Sequence, residues 1–202
     1  MKGIELPRKV IYVSISRSIG DLDREISHSY AEENQEFFRR GVTVKDFSGL
    51  YMKVLPKPFG SGTGYRGVLT KLMTFLKQVG GRNLVTINSL TDLALVGSPS
   101  TDEIAGFVKW LQRMTKRWGG VVYLLLDKGV LEKMLEKTFS SRADGVIRIR
   151  WDDIGVNRVR TMGFYKFRGL FTKLGKISRY EIKVSRQAGF TVSKWEMVEG
   201  IR

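Results

Sequence analysis

The chain has 202 residues, no cysteine, one histidine and a net charge of +15, from 35 Lys+Arg against 20 Asp+Glu. That length suits one domain with a substantial core. The missing cysteines exclude disulfides and thiolate metal sites, and His28 alone cannot build a metal cluster. No apolar run approaches the ~20 residues that cross a bilayer, and the start carries no secretory signal, so a cytoplasmic protein without a membrane partner is expected.

"KVIYVSIS" (9–16) is β-branched and aromatic and reads as a buried strand. "GDLDREISHSYAEENQEFFRR" (20–40) reads as one helix, with acids at its start and Arg39-Arg40 at its end. His28 falls on it as a surface residue. "VTVKDF" and "LYMKVL" are short strand candidates, and "PKPFGSGTGYRG" is a linker. Val68, Leu69, Leu72, Met73, Leu76 and Val79 make an amphipathic stripe closed by Gly80-Gly81. "LVTI" is a strand that delivers Asn88 at its carboxyl end. "SPSTDEIAGFVKWLQRMTKRW" is a capped helix, "GGVVYLLL" a strand and "GVLEKMLEKTF" a helix. The alternation implies a parallel sheet covered by helices on both faces.

After Ser140 the pattern changes to period two. "ADGVIRIRW", "NRVRTMGFYKF", "SRYEIKVS" and "GFTVSKWEMV" read as antiparallel strands added to the parallel sheet, with a tight turn at "DDIG". Residues 1–140 are thus the α/β core and 141–202 complete the same domain. From Val156 to Lys194 there are ten Lys or Arg and one acid, Glu181, so +9 of the +15 lies in this segment. Aromatics interleave with the cations there. Two readings stay open: a nucleic-acid surface that neutralises phosphates and stacks bases, or a meander whose aromatic face is core and whose basic face is wet.

No G-x-x-x-x-G-K-[ST] phosphate loop occurs. "GSGTGYRG" is not followed by a Lys-Ser/Thr pair. "GLFTKLGKIS" is one residue too long, and Lys176 is followed by Ile177.

The combination "VTINSLTDL", "VVYLLL", "RADGVIRIR" and "YKFRG" resembles the RecA/KaiC superfamily of P-loop ATPases, and "VIYVSISRS" is similar to the strand after that family's phosphate-loop helix. The resemblance covers nearly the whole chain. It implies a three-layer α/β RecA-like domain with a mainly parallel sheet and an antiparallel C-terminal meander.

The resemblance also implies departures. Ser16 and Arg17 stand where the family has paired glutamates, and Asn88 where it has the magnesium aspartate. On this alignment the phosphate loop would precede residue 1. A rival alignment puts Gly20 on its last glycine and Asp21 where lysine should be, and fits the spacing to Asn88 less well. Either leaves no competent hydrolysis site and no cofactor.

Lys166 and Arg168 match a pair that reaches the nucleotide of a neighbouring subunit. The expected function is therefore a degenerate, non-catalytic binding or regulatory subunit, with a RecA/KaiC-like ATPase or further copies of itself as partner. The alternative is a recombinase-paralogue-like nucleic-acid binder using Arg158, Arg160, Lys173, Lys176 and Arg179. Its short loops after Leu95 and Leu126 speak against that. An atypical NTPase is the third reading.

Overall fold

The computed structural model describes residues 6–55, 60, 64–96, 99–154, 156–167 and 179–194. Strand β1 (Val10–Ser14) is followed by α1 (Ile19–Ser29), α2 (Glu32–Gly41), β2 (Val42–Asp46), α3 (Ser48–Val54) and α4 (Tyr65–Gln78). Then come β3 (Leu84–Asn88), α5 (Leu90–Leu95), α6 (Thr101–Trp118), β4 (Val121–Leu124) and α7 (Lys133–Arg142). The chain continues through β5 (Gly145–Ile154), β6 (Asn157–Phe167), β7 (Arg179–Ser185) and β8 (Gly189–Lys194).

The first four strands form one parallel sheet in the order β2-β1-β3-β4. Ile11 and Val13 of β1 with Val85 and Ile87 of β3 present its buried face. Val68, Leu72 and Leu76 of α4 and Ile104, Val108 and Leu111 of α6 pack into the same core. Their i, i+4 and i+3 spacing puts each set on one helical stripe. On the other side, α1 and α2 pack toward β2, which leaves Val121, Tyr123 and Leu125 at the β4 end exposed.

The ends of α6 follow from local chemistry. Ser100 and Glu103 form a reciprocal capping box at its start, and Gly119 closes it at φ 67°. Gly120 follows where the chain passes close to the α4–β3 connection. A Cβ there would sit 2.6 Å from the Asn83 carbonyl oxygen and 2.7 Å from that of Gly81, so only glycine fits.

Four expectations are corrected. "LYMKVL" is helical through Val54, the end of α3: Phe47, Leu50, Tyr51 and Val54 recur at helical spacing and join the core, and Asp46 Oδ1 accepts from the Ser48 N–H at 2.7 Å to start the turn. The helix expected over 20–40 is two helices, broken at Tyr30 (φ −125°, ψ 155°). The freed groups are satisfied there, because Gln35 Nε2 donates to the Ser27 and Tyr30 carbonyls and the Ala31 N–H donates to the Arg186 carbonyl.

The C-terminal strands do not extend the parallel sheet. They make a second, antiparallel sheet in the order β5-β6-β7-β8. Finally, "DDIG" is not the turn, since Asp152 and Asp153 lie within β5 opposite Val159 and Arg158. Gly155 lies outside the described residues.

Candidate functional site at the strand ends

In a parallel α/β sheet the carboxyl ends of the strands, at a change of strand order, form the usual ligand crevice. Here β1 and β3 are adjacent, with Ser14 opposite Asn88. Ser14 is buried, and its Oγ donates to the Arg17 carbonyl at 2.6 Å, folding the chain over the strand end. The backbone at Ile15 donates to the Asn88 carbonyl at 2.8 Å.

Beyond this point the side chains converge on Asp92, in the first turn of α5. Ser16 Oγ donates to Asp92 Oδ2 at 2.9 Å, and Ser89 Oγ donates to the same oxygen at 2.8 Å. Ser89 also caps α5, accepting from the Asp92 N–H at 3.0 Å. Burial pushes the Tyr51 hydroxyl pKa up, and the nearby Asp92 carboxylate pushes it further in the same direction.

Asn88 Nδ2 donates to the Tyr12 hydroxyl on the neighbouring strand. The Asn88–Ser89 peptide is cis. Arg17 turns away toward α1 and ion-pairs with Glu25.

At the β2 end, Asp46 Oδ2 accepts from the Ile19 N–H at 2.9 Å while Oδ1 accepts from Ser48. Burial raises the Asp46 pKa, but these hydrogen bonds and the Lys45 charge outweigh it and hold the carboxyl below its usual value. Asp21 is also lowered, first by the hydrogen bond from Ser18. Among the described residues, no three His, Cys, Asp or Glu come together to hold a metal ion.

The structure therefore brings Ser16 and Asn88 to adjacent strand ends and sends Arg17 elsewhere. Asp92, Tyr12 and Tyr51 were not singled out in the sequence. The usable signal for Asp92 was Ser89 three residues before it, a capping spacing.

The remaining candidates are dispersed. Lys166 Nζ donates to the Ser140 and Ser141 carbonyls at 3.2 and 2.6 Å, at the last turn of α7. Arg168, Lys173 and Lys176 lie outside the described residues. The Arg160 and Arg158 guanidiniums lie 4.6 and 5.7 Å from the centre of the Trp151 ring, and Arg158 also pairs with Asp153 at 3.6 Å. Arg160 faces Ile182 and Arg179 faces Gly163 across β6 and β7, so alternation puts Arg179 on the opposite face. The aromatic face of this sheet is not simply core either, since Ile182 is buried while Trp151 and Phe190 are exposed.

Two solved structures superpose on most of the chain. The flagellar accessory protein FlaH from Methanocaldococcus jannaschii matches with a TM-score of 0.62 and 14% identity, over 92% of this chain and 76% of its own. The KaiC-like protein PH0186 from Pyrococcus horikoshii OT3 matches with a TM-score of 0.61 and 16% identity, over the same shares. The chain has a RecA/KaiC-like fold. At these identities the likeness concerns the fold alone. No family model and no curated protein matches the sequence. Among the described residues, no helix is long and apolar enough to cross a membrane.

Proposed function

We propose that this protein is a non-catalytic RecA/KaiC-like binding or regulatory subunit. The observation that carries the reading is how the strand-end side chains are used. Ser16 is bonded to Asp92, Asn88 to Tyr12 and Arg17 to Glu25. No carboxylate stands at position 16 or 88 to activate water or hold a metal ion. Purified protein is expected to hydrolyse neither ATP nor GTP above a blank. Turnover that survives purification and disappears in Asn88→Ala would overturn the reading.

A partner ATPase of the same fold is the natural target for Lys166 and Arg168, because head-to-tail packing lets a basic finger on one subunit reach the nucleotide of its neighbour. An arginine finger is worth ~10³–10⁵ in rate at such sites. Stimulation of a co-purifying RecA/KaiC-like ATPase should therefore fall in Lys166→Ala/Arg168→Ala. A double variant equal to wild type would reduce the pair to surface and capping charge.

Nucleic-acid binding is the second reading, favoured by the Arg160 and Arg158 guanidiniums that lie over the exposed Trp151 ring. It requires binding to single-stranded DNA or RNA that weakens steeply with salt and weakens again in Trp151→Ala. No mobility shift at low salt would remove it.

A further inference from the structure

Helices α4 and α6 lie side by side on one face of the parallel sheet. At their starts Arg66 Nε donates to Glu103 Oε1 at 3.2 Å. At their ends the Trp118 indole closes on Gly80, where a Cβ would sit 2.5 Å from its Nε1. Each helix buries one stripe in the core, Val68, Leu72 and Leu76 on α4 and Ile104, Val108 and Leu111 on α6. The opposite surfaces of both helices therefore face away from the sheet.

Those outer surfaces are basic. Lys71 and Lys77 on α4 and Lys109, Arg113, Lys116 and Arg117 on α6 are exposed. Among the described residues, none of these side chains has a hydrogen-bond, ion-pair or aromatic partner. Helix α4 contains no Asp or Glu, and the acids of α6, Asp102 and Glu103, both stand in its first turn. The macrodipole favours Lys77, Lys116 and Arg117, which lie in last turns. It gives no reason for Lys71, Lys109 and Arg113 in the middle of the helices. Gly106 lies on the same α6 stripe, is exposed, and a Cβ there would meet nothing within 4 Å. A glycine inside a helix is destabilising relative to alanine, and no described neighbour requires this one. Without a side chain, it lets the backbone of a ligand come close to α6.

Cations without partners on one face call for a polyanion. A second copy does not supply it: the net charge of +15 repels one, and acids of α1 and α2 already pair with Arg17, Arg24, Arg39 and Arg40. Among the described residues, no large hydrophobic side chain of α4 or α6 is exposed. A protein interface needs an apolar centre, a bilayer takes up apolar side chains, and a single strand stacks its bases on aromatics. The phosphate backbone of a duplex needs none of these. Lys109 and Lys116 are about 10 Å apart along α6, and packed helices lie about 8–10 Å apart. These spacings suit phosphate rows across a duplex groove about 6–12 Å wide. We propose that the outer face of α4 and α6 binds the phosphate backbone of duplex nucleic acid without reading its sequence. Lys109, Arg113, Lys116 and Arg117 neutralise phosphates along α6, with Lys77 beside them on α4. This site is separate from Trp151 and does not depend on whether the protein hydrolyses nucleotide.

The test is fluorescence anisotropy of the full chain with labelled duplexes of DNA and of RNA, of arbitrary sequence, between about 50 and 200 mM salt. The logarithm of the affinity should fall linearly with the logarithm of salt. Lys109→Gln/Arg113→Gln/Lys116→Gln keeps good helix formers on α6, and circular dichroism checks that it is folded. This variant should bind at least about tenfold more weakly, with a salt slope smaller by about 2–3, because three phosphate contacts are lost. The charge-matched Arg158→Gln/Arg160→Gln/Lys183→Gln variant and Trp151→Ala should bind duplexes as wild type does. A Trp151 site that fails with single strands therefore leaves this result untouched. No binding to either duplex at low salt would overturn the proposal. So would a loss in the Arg158, Arg160 and Lys183 variant as large as in the α6 variant, because net charge alone would then explain binding. Binding to phosphatidylserine vesicles tighter than to either duplex, and abolished in the α6 variant, would also overturn it, because the face would then meet a membrane.

Discussion

Ser16, just past β1, donates its hydroxyl hydrogen to Oδ2 of Asp92 on α5 at 2.9 Å, across 76 residues of sequence. Ser89 donates to the same oxygen. A glutamate at position 16, as the family resemblance would have it, would set a second carboxylate against Asp92, and like charges at that range disfavour ionisation of both. Serine turns the same approach into an attractive contact that ties two strand ends together.

Ser16→Ala should therefore cost about 1 kcal/mol, the net worth of an ordinary hydrogen bond. Ser16→Glu should cost more at pH 7 than Ser16→Ala, and part of that extra loss should be recovered at acidic pH as one carboxyl protonates. Urea unfolding at the two pH values measures both differences. A glutamate variant as stable as wild type at pH 7 would show that the two side chains separate freely.

Asp46 sets a pH dependence. Its pKa is lowered in the folded chain, so it contributes stability above its unfolded value of about 3.9. That contribution disappears as pH falls through the folded pKa. Asp46→Asn should show a smaller stability difference between pH 7 and pH 3 than wild type. An identical difference would show that the Ile19 and Ser48 contacts do not favour the charged carboxyl.

Two packing variants test the core and the close approach of its connections. Leu72 is fully buried on α4, and Leu72→Ala should cost about 2–5 kcal/mol, from lost burial and the cavity left behind. Gly120→Ala pushes a methyl group against the Asn83 and Gly81 carbonyls and should cost about 1–3 kcal/mol. Thermal unfolding followed by circular dichroism would reveal either effect.

Lys166 holds the end of α7 through the Ser140 and Ser141 carbonyls. Lys166→Ala should lower stability by about 0.5–1.5 kcal/mol even without any partner. A stability unchanged in Lys166→Ala would mean that the ammonium is free for another chain.

Much of the parallel sheet was legible because β1, β3 and β4 are short runs rich in apolar and β-branched residues, although β4 lies at the sheet edge with Val121 and Tyr123 exposed, which its apolar run did not foretell. The α4 and α6 stripes were legible from their 3.6-residue period. "LYMKVL" was not, because a short apolar run fits either period until Phe47 and Asp46 are seen to start a helix. The break at Tyr30 depends on the Arg186 carbonyl in the distant β7–β8 turn, which no local pattern carries. The division into two sheets was illegible for a related reason: period two reports a strand's faces and says nothing about its neighbour along the edge. At the site, Asn88 was found by its position at a strand end and Ser16 by the family resemblance. Asp92 was not singled out, because nothing local shows that Ser16, 76 residues away, reaches it.

The most direct test of a non-catalytic role is single-turnover hydrolysis, with the protein in excess over radiolabelled ATP and magnesium present. The account predicts inorganic phosphate release no faster than in buffer, and the same trace for wild type, Asn88→Ala and Asp92→Asn. Phosphate release above buffer that is lost in either variant would contradict it, because the strand-end residues would then be doing chemistry.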